Sequence, residues 1–278
     1  MSPPAPDGVT LVMPVTAATA AAASTAVPRW LDALVQLRRD HALILVDDGC
    51  PPDAALALET LAAGRPQVIL LRHPSPGGFG ACLKTALPHA TLPLVCTVGL
   101  DYPYTPADLK AFLERIALPD AVLHVPPALV AGCRTGRPVP AAWRAVGVAF
   151  RLFSRVALGY PTDPLPGWLG LRTHWRAWRA WLVYGNPLTD PDCSFQLVRR
   201  EALGQFPVQS DGGFVHMELV AKLTFLTQIL DEVPLTPKPE PVPPCDWADS
   251  GRIFRDPHFH PPAVPLVDPA AAPAPAHA

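Results

Sequence analysis

The sequence lacks a hydrophobic stretch long enough to cross a bilayer, which takes about 20 consecutive apolar residues. The alanine-rich segment 15–27 resembles a signal-peptide core, but it is only weakly hydrophobic. No lysine or arginine precedes it, and Asp7 does. We therefore expect a cytoplasmic protein, which can still lie peripherally on the inner face of the membrane.

Charged residues and closely spaced cysteines are also scarce. Charged residues make up 17% of the 278 residues and the net charge is −2, so no basic surface indicates a nucleic-acid partner. The six cysteines occur singly and without a CxxC motif, which predicts reduced thiols rather than a disulfide framework. Hydrophobic residues make up 49%, enough for a sizeable core.

Glycine is missing where a dinucleotide-binding fold would need it. A Rossmann domain carries GxGxxG after its first strand and an acidic residue after its second. Met13 to Arg39 contains no glycine, and no Walker loop is present. We therefore expect that no glycine-rich loop after the first strand binds phosphate.

Strand and helix patterns alternate along the first half of the chain. Apolar runs predict strands at 8–15, 42–48, 67–73 and 92–101, and an extended stretch at 120–132. Between them lie predicted helices, with a stripe from Trp30 to Leu37 and further helices at 53–64, 79–90 and 105–116. Short links between such elements indicate an α/β fold with a mostly parallel sheet and helices on both faces.

Acidic residues follow two of these strands. Asp47 and Asp48 end the second strand, and Asp101 ends the fourth. An Asp-Asp-Gly sequence is often only a turn. Ligands of parallel sheets bind beyond the carboxyl ends of the strands, so acids at two strand ends favour a ligand site.

Proline sets the C-terminal region apart. Residues 238–278 are rich in proline and alanine, and they are predicted to form a disordered tail after a domain spanning 1–237. His258 and His260 form an HxH pair there, which without further ligands is more typical of a solvated tail than of a metal site.

Seven segments, taken in order, resemble glycosyltransferase family 2. They look most like the dolichol- or polyprenyl-phosphate sugar transferases of the GT-A fold, and the resemblance covers Val9 to Leu235. The segments are VMPV, LILVDDGCPPD, RHPSPGGFGACLKTAL, GLDYPYTPADL, VAGCRTGR, DPDCSFQLVRREAL and HMELVAKL…ILDEVPL.

The resemblance implies roles for particular residues of this chain. Those implied to bind the sugar nucleotide are Pro14, Asp47, Asp48, Gly78 and Arg134. Those implied to be catalytic, on the acceptor side or at the diphosphate, are Asp101, Asp190 and Glu218. Asp101 would also hold Mg²⁺ or Mn²⁺, since such cations prefer carboxylate oxygens and stabilise a diphosphate leaving group.

The chain departs from the family pattern at three places. Gly99 stands at the first acid of the usual DxD motif, so only Asp101 remains. Ala17 and Ala18 replace a common Asn-Glu pair, and Gln196 stands where arginine is common. These changes imply weak cation binding.

Tryptophan and arginine are concentrated in residues 141–185, where two amphipathic helices are predicted. Arginines lie on one stripe of each helix and tryptophans beside them; the set is Arg144, Arg151, Arg155, Arg172, Arg176, Arg179, Trp143, Trp175, Trp178 and Trp181. This pattern is typical of a helix in the membrane interface. The alternative is a helix pair packed on the sheet.

The first functional interpretation is transfer of a sugar from a nucleoside-diphosphate sugar to a polyprenyl phosphate or similar acceptor at the cytoplasmic membrane face. A second is a non-catalytic nucleotide-sugar-binding protein that docks on a membrane or partner. A third is a soluble transferase with a saccharide acceptor.

Overall fold

A computed structural model describes residues 8–100, 102–120, 123–134, 188, 190, 193–236 and 249–260 of the chain. Seven strands in this part form one sheet: β1 Val9–Val15, β2 His41–Asp48, β3 Val68–His73, β4 Leu94–Thr97, β5 Leu129–Arg134, β6 Gln196–Arg199 and β7 Leu230–Leu235. The α-helices among the described residues are α1 Ala20–Gln36, α2 Pro52–Ala62, α3 Phe79–Ala86, α4 Pro106–Ala117, α5 Arg200–Leu203, α6 Val215–Phe225 and α7 Ser250–Arg255.

The sheet is mostly parallel. Its strand order is β3-β2-β1-β4-β6-β5-β7, and β6 runs antiparallel to both of its neighbours. The α/β prediction is confirmed, whereas the antiparallel strand was not predicted. Gln196, the first residue of β6, therefore lies beside Thr97 of β4 and Ala131 of β5. We call this side, where the parallel strands end, the carboxyl edge.

Each face of the sheet carries its own hydrophobic core. Alternate residues of β1 and β2 point to opposite faces: Leu11 and Leu43 join the core under α1, α2 and α4, while Val12 and Ile44 join the core under α3 and α6. This alternation is the period of a strand covered on both sides. The two cores hold the strand ends of the carboxyl edge in fixed register.

Proline accounts for two differences between predicted and observed elements. The helix predicted at 79–90 ends at Ala86 and continues as a 3₁₀ turn, Leu87–His89, that contains Pro88. The extended stretch predicted from residue 120 becomes a strand only at Leu129, because Pro126 and Pro127 have no N–H group for a sheet.

The segments outside the domain core are described only in part. The predicted Trp/Arg helices of 141–185 lie outside the described residues, as does most of the predicted tail. Within that tail the structure describes 249–260, where α7 places Ile253 against α6. None of the helices that the structure describes is long and apolar enough to span a membrane. Cys50, Cys82, Cys96 and Cys193 are reduced thiols in the structure.

Asp108 connects the start of α4 to the end of β7. Its carboxylate accepts hydrogen bonds from the backbone and hydroxyl of Thr105, the N-cap of α4, and from those of Thr236. Burial alone would raise the pKa of Asp108, but these hydrogen bonds outweigh burial and hold its pKa below the usual value.

We expect the contribution of Asp108 to stability to depend on pH. Because its folded-state pKa is lowered, the contribution is fully present above the unfolded-state pKa and is lost as pH falls through the folded-state value. The free energy of unfolding of Asp108→Asn should therefore lie below that of wild type at pH 7, and the gap should narrow towards pH 3. Urea unfolding at both pH values measures it; a gap independent of pH would contradict the assignment.

Candidate active site

The two acidic residues of β2 lie side by side at the carboxyl edge. Parallel pairing sets Asp47 opposite Val15 of β1 and Arg72 of β3, and sets Asp48 opposite His73. Both carboxylates are almost fully buried. Buried carboxylates need hydrogen-bond partners, and each has them.

Asp47 is paired with an arginine that sequence reasoning missed. Its Oδ2 accepts from Arg72 Nε at 2.9 Å, and its Oδ1 accepts from the backbone N–H of Cys50 at 2.8 Å. The Arg72 side chain is 45% exposed and also reaches Glu59. The cross-strand register opposite Asp47 is the signal that identifies it. The pair thus presents a buried carboxylate and a solvent-accessible guanidinium at one strand end.

Asp48 shapes the turn before α3. It accepts hydrogen bonds from Gly77 N at 2.7 Å, Gly78 N at 2.9 Å and His73 Nδ1 at 2.8 Å. Burial raises the pKa of Asp48, but these hydrogen bonds outweigh it and lower the pKa below its usual value. Gly78 has φ +91°, a conformation that favours glycine. The N–H of Gly78, a predicted nucleotide-binding residue, is therefore engaged by Asp48.

The start of α3 packs against a loop at residues 209–214. Gly80 N donates to Gly212 O and Ala81 N donates to Asp211 O. A Cβ on Gly80 would lie 2.2 Å from Ser210 O. The N–H groups of Gly80 and Ala81, the second and third residues of α3, therefore donate to carbonyls of this chain.

We expect Gly80→Ala to destabilise the protein by about 1–3 kcal/mol, the usual cost of overpacking, because the obstructing atom is backbone. Gly212→Ala is the matched control from the same contact, since a Cβ there meets nothing within 4 Å. Thermal unfolding of both variants measures the difference. Equal melting temperatures would contradict the close approach.

Glu218 binds the backbone of the loop at residues 209–214. It is fully buried on α6, where its two carboxylate oxygens accept from Gln209 N and Ser210 N, each at 2.7 Å. Lys222 Nζ lies 2.8 Å from Glu218 Oε1 and also donates to Pro207 O and to Gln209 Oε1. The predicted catalytic Glu218 is thus engaged in a buried ion pair that fixes residues 207–212.

Arg134 and Asp190 form a second buried ion pair, at the end of β5. Arg134 Nε and Nη2 donate to Asp190 at 2.7 and 2.8 Å, and Arg134 N donates to the same carboxylate at 3.0 Å. The guanidinium is 4% exposed. The structure therefore joins a predicted nucleotide ligand and a predicted catalytic acid in one bidentate pair.

Within the described residues, His216 and Gln196 each have a buried polar atom that lacks a hydrogen-bond partner. His216 Nδ1 and Gln196 Oε1 make no hydrogen bond in the part of the chain that the structure describes, while Gln196 Nε2 donates to His216 O at 3.2 Å. Burial and the charge of Arg134 lower the pKa of His216 to about 3, so its imidazole is neutral. Sequence reasoning missed His216, although it lies two residues before Glu218.

The remaining predicted residues are Pro14 and Asp101. Pro14 is buried within β1, opposite Val46 of β2. Asp101, the predicted metal ligand, lies outside the described residues. Within the described ranges, the one group of three or more potential metal ligands is Asp48, His73 and Cys82. That set is not the oxygen set that Mg²⁺ or Mn²⁺ prefers.

The seven-stranded, mostly parallel mixed sheet with helices on both faces is an α/β fold of the GT-A type. A sequence profile of glycosyl transferase family 2 matches residues 19–204, more than half of the chain. The chain belongs to this family and is thus a glycosyltransferase, an enzyme that takes a sugar from a nucleoside-diphosphate sugar. No curated protein matches the chain significantly.

Solved structures are similar in fold. A mycobacterial protein superposes with a TM-score of 0.58 at 15% identity, covering 86% of this chain and 68% of its own. Glucosyl-3-phosphoglycerate synthase from Mycobacterium tuberculosis, in complex with Mn²⁺, UDP and glucosyl-3-phosphoglycerate, gives 0.55 at 14% identity over 90% of this chain and 76% of its own. The same enzyme with Mn²⁺, UDP-glucose and phosphoglyceric acid gives 0.53 at 15% over 86% and 73%.

Proposed function

We propose that the protein transfers a hexosyl group from UDP-glucose, or a related nucleoside-diphosphate sugar, to an acceptor that carries a phosphate group. The observation that carries this proposal is the Asp47–Arg72 pair at the carboxyl edge of a family 2 fold. A buried carboxylate can accept from the base or ribose of a nucleotide. The accessible guanidinium can donate to a base carbonyl or to phosphate.

The donor and cation assignments draw on the fold's relatives. Structures of similar fold contain UDP-glucose or UDP together with Mn²⁺ or Mg²⁺. We assign a cation of this kind to Asp101, because a hard cation needs carboxylate oxygen. When bound, it would neutralise charge on the leaving diphosphate.

The interactions of Asp190 and Glu218 bear on the chemistry of the acceptor. In transfer, the bond from the sugar C1 to the diphosphate oxygen breaks with its electron pair on the nucleotide, and an acceptor oxygen bonds to C1. A hydroxyl acceptor must also lose its proton to a base. Asp190 and Glu218 are each buried and ion-paired, which favours an acceptor that is already anionic.

Two phosphate-bearing acceptors are candidates. Phosphoglyceric acid is bound together with UDP-glucose in one structure of similar fold, and glucosyl-3-phosphoglycerate is bound together with UDP in another. In that small molecule the sugar is joined to a hydroxyl oxygen, so its transfer would require a base. Polyprenyl phosphate is the second candidate: its phosphate oxygen is anionic and needs no base, and the Trp/Arg pattern of residues 141–185 is typical of an interfacial helix. Both acceptors carry a phosphate group, but phosphoglyceric acid would bind from solution and polyprenyl phosphate from the membrane surface.

The test is a transfer assay on the full chain with Mn²⁺. UDP-glucose and GDP-mannose are each offered with 3-phosphoglycerate or with polyprenyl phosphate in vesicles, and nucleotide release and glycosylated product are measured. Arg72→Ala should lower kcat/KM for the donor at least tenfold, about 1.4 kcal/mol. Lys110→Ala, at an exposed position of α4, should not lower it. No nucleotide release from either donor with either acceptor would overturn the proposal.

A further inference from the structure

Three different metal-ligand types meet where β2, β3 and α3 come together. An oxygen of Asp48, a ring nitrogen of His73 and the sulfur of Cys82 all lie within 4.8 Å of one another. We call this set the Asp48 cluster. We propose that the Asp48 cluster is a binding site for a thiolate-seeking divalent cation such as Zn²⁺, separate from the Mg²⁺ or Mn²⁺ site assigned to Asp101.

The donor set selects the class of ion. Carboxylate, imidazole and thiolate together are typical zinc ligands, and a thiolate also suits Co²⁺ and Cd²⁺. Mg²⁺ and Mn²⁺ prefer oxygen, so Cys82 makes the cluster unsuitable for the cation of the transfer reaction. The two sites should therefore respond to different metals.

The present spacing requires only small movements on binding. His73 Nδ1 lies 2.8 Å from Asp48 Oδ1 and 3.9 Å from Cys82 Sγ. Tetrahedral zinc with bonds of about 2.0–2.3 Å places such ligand atoms roughly 3.3–3.6 Å apart. The nitrogen and oxygen would separate by about half an ångström, and the sulfur would approach the nitrogen by less. The sulfur would approach the carboxylate oxygen from a separation of at most 4.8 Å. Water would supply the fourth ligand.

The outer contacts that orient metal ligands are already formed. The imidazole turns Nδ1 towards the cluster, and its Nε2 lies 2.8 Å from Thr85 Oγ1. Asp48 Oδ2 accepts from Gly78 N at 2.9 Å. Metal-bound histidine usually donates its second ring N–H to a fixed acceptor, and metal-bound carboxylates are usually hydrogen-bonded. The cluster therefore has its second ligand shell in place.

Binding is balanced by the release of one proton. The Cys82 thiol loses its proton to solvent as sulfur bonds to the ion. The ring proton of His73 moves from Nδ1 to Nε2, where it donates to Thr85 Oγ1. Asp48 Oδ1 exchanges its hydrogen bond from His73 for the ion. Since the thiol must be deprotonated, affinity should lie below that of a cysteine-rich structural zinc site.

Cobalt spectroscopy on the full chain tests the proposal directly. A Co²⁺–thiolate bond gives a charge-transfer band in the near ultraviolet, and calorimetry with Zn²⁺ gives the affinity. We expect the band in wild type and its loss in Cys82→Ala, with zinc affinity at least tenfold weaker. Cys50→Ser is the matched control, because Cys50 lies at the same edge but its Sγ contacts Val15 O instead.

His73→Asn provides a second variant in case Cys82→Ala does not fold. The His73 side chain is partly exposed, whereas Asp48 and Cys82 are buried. This variant should weaken zinc at least tenfold and leave the UDP-glucose reaction measurable. The proposal is overturned if wild type shows no thiolate band, if the band persists in Cys82→Ala and vanishes in Cys50→Ser, or if zinc affinity is unchanged in both Cys82→Ala and His73→Asn. The last result would place the binding elsewhere, for example at exposed His258 and His260.

Discussion

Replacing Glu218 by glutamine should lower the free energy of unfolding by about 3–5 kcal/mol, as breaking one side of a buried ion pair does. Glu218 and Lys222 are both fully buried, and Glu218 also accepts the N–H groups of Gln209 and Ser210. Glutamine leaves the ammonium without its counter-charge, and its NH₂ group would face a backbone N–H. Urea unfolding, with an unchanged m-value, measures the loss.

The double variant Glu218→Gln/Lys222→Met is the control. Removing both charges from a buried pair often costs little, so it should recover at least half of the loss, and the double-mutant cycle should show strong coupling. Its activity separates two roles of Glu218. Recovered transfer activity assigns Glu218 to holding residues 207–212, whereas a stable but inactive double variant assigns it to the reaction. Equal stability of the single and double variants would contradict the ion pair.

Arg134→Met should be destabilising by a similar amount, about 3–5 kcal/mol, because it leaves the buried Asp190 carboxylate without its bidentate partner. Arg72→Met removes an arginine from an aspartate at the same edge of the sheet. There the guanidinium is half exposed, so solvent screens the pair and the expected loss of stability is much smaller than that of Arg134→Met. The melting temperatures of Arg134→Met and Arg72→Met compare the loss of a buried ion pair with the loss of a solvent-accessible one.

Arg134→Met should also change the pKa of His216. Burial is the first cause of its low pKa and the positive charge of Arg134 is the second. Removing that charge should raise the pKa of His216, which an NMR titration of the imidazole measures. A melting temperature near that of Arg72→Met, or an unchanged His216 pKa, would contradict the arrangement.

The local part of the fold is predictable from sequence. The apolar runs before Asp48 and Thr97, and Thr105 followed by Pro106, fix strands and a helix start through periodicity and end residues alone. The direction of β6 is not predictable from the sequence. Gln196–Arg199 carries no local signal for antiparallel pairing with β4, from which it is separated by about a hundred residues. Only the tertiary structure sets that direction.

The candidate site divides in the same way. Placing Asp47 and Asp48 at a strand end follows from pattern, but their partners do not, since Arg72 and Gly77 approach them through strand pairing and a turn 25 and 29 residues away. Glu218 and Lys222 are four residues apart on one helix, a spacing that is usually a surface pair. Full burial of both is a tertiary property. The eight residues implied by family resemblance therefore remain functional predictions.

The most direct test of the central claim is calorimetric titration of UDP and of GDP, with and without Mn²⁺, into wild type and Asp47→Asn. The account predicts that wild type binds one of the two nucleotides and that Asp47→Asn binds it at least tenfold more weakly while remaining folded. No binding of either nucleotide by wild type, with or without Mn²⁺, would contradict a sugar-nucleotide site at this edge of the sheet.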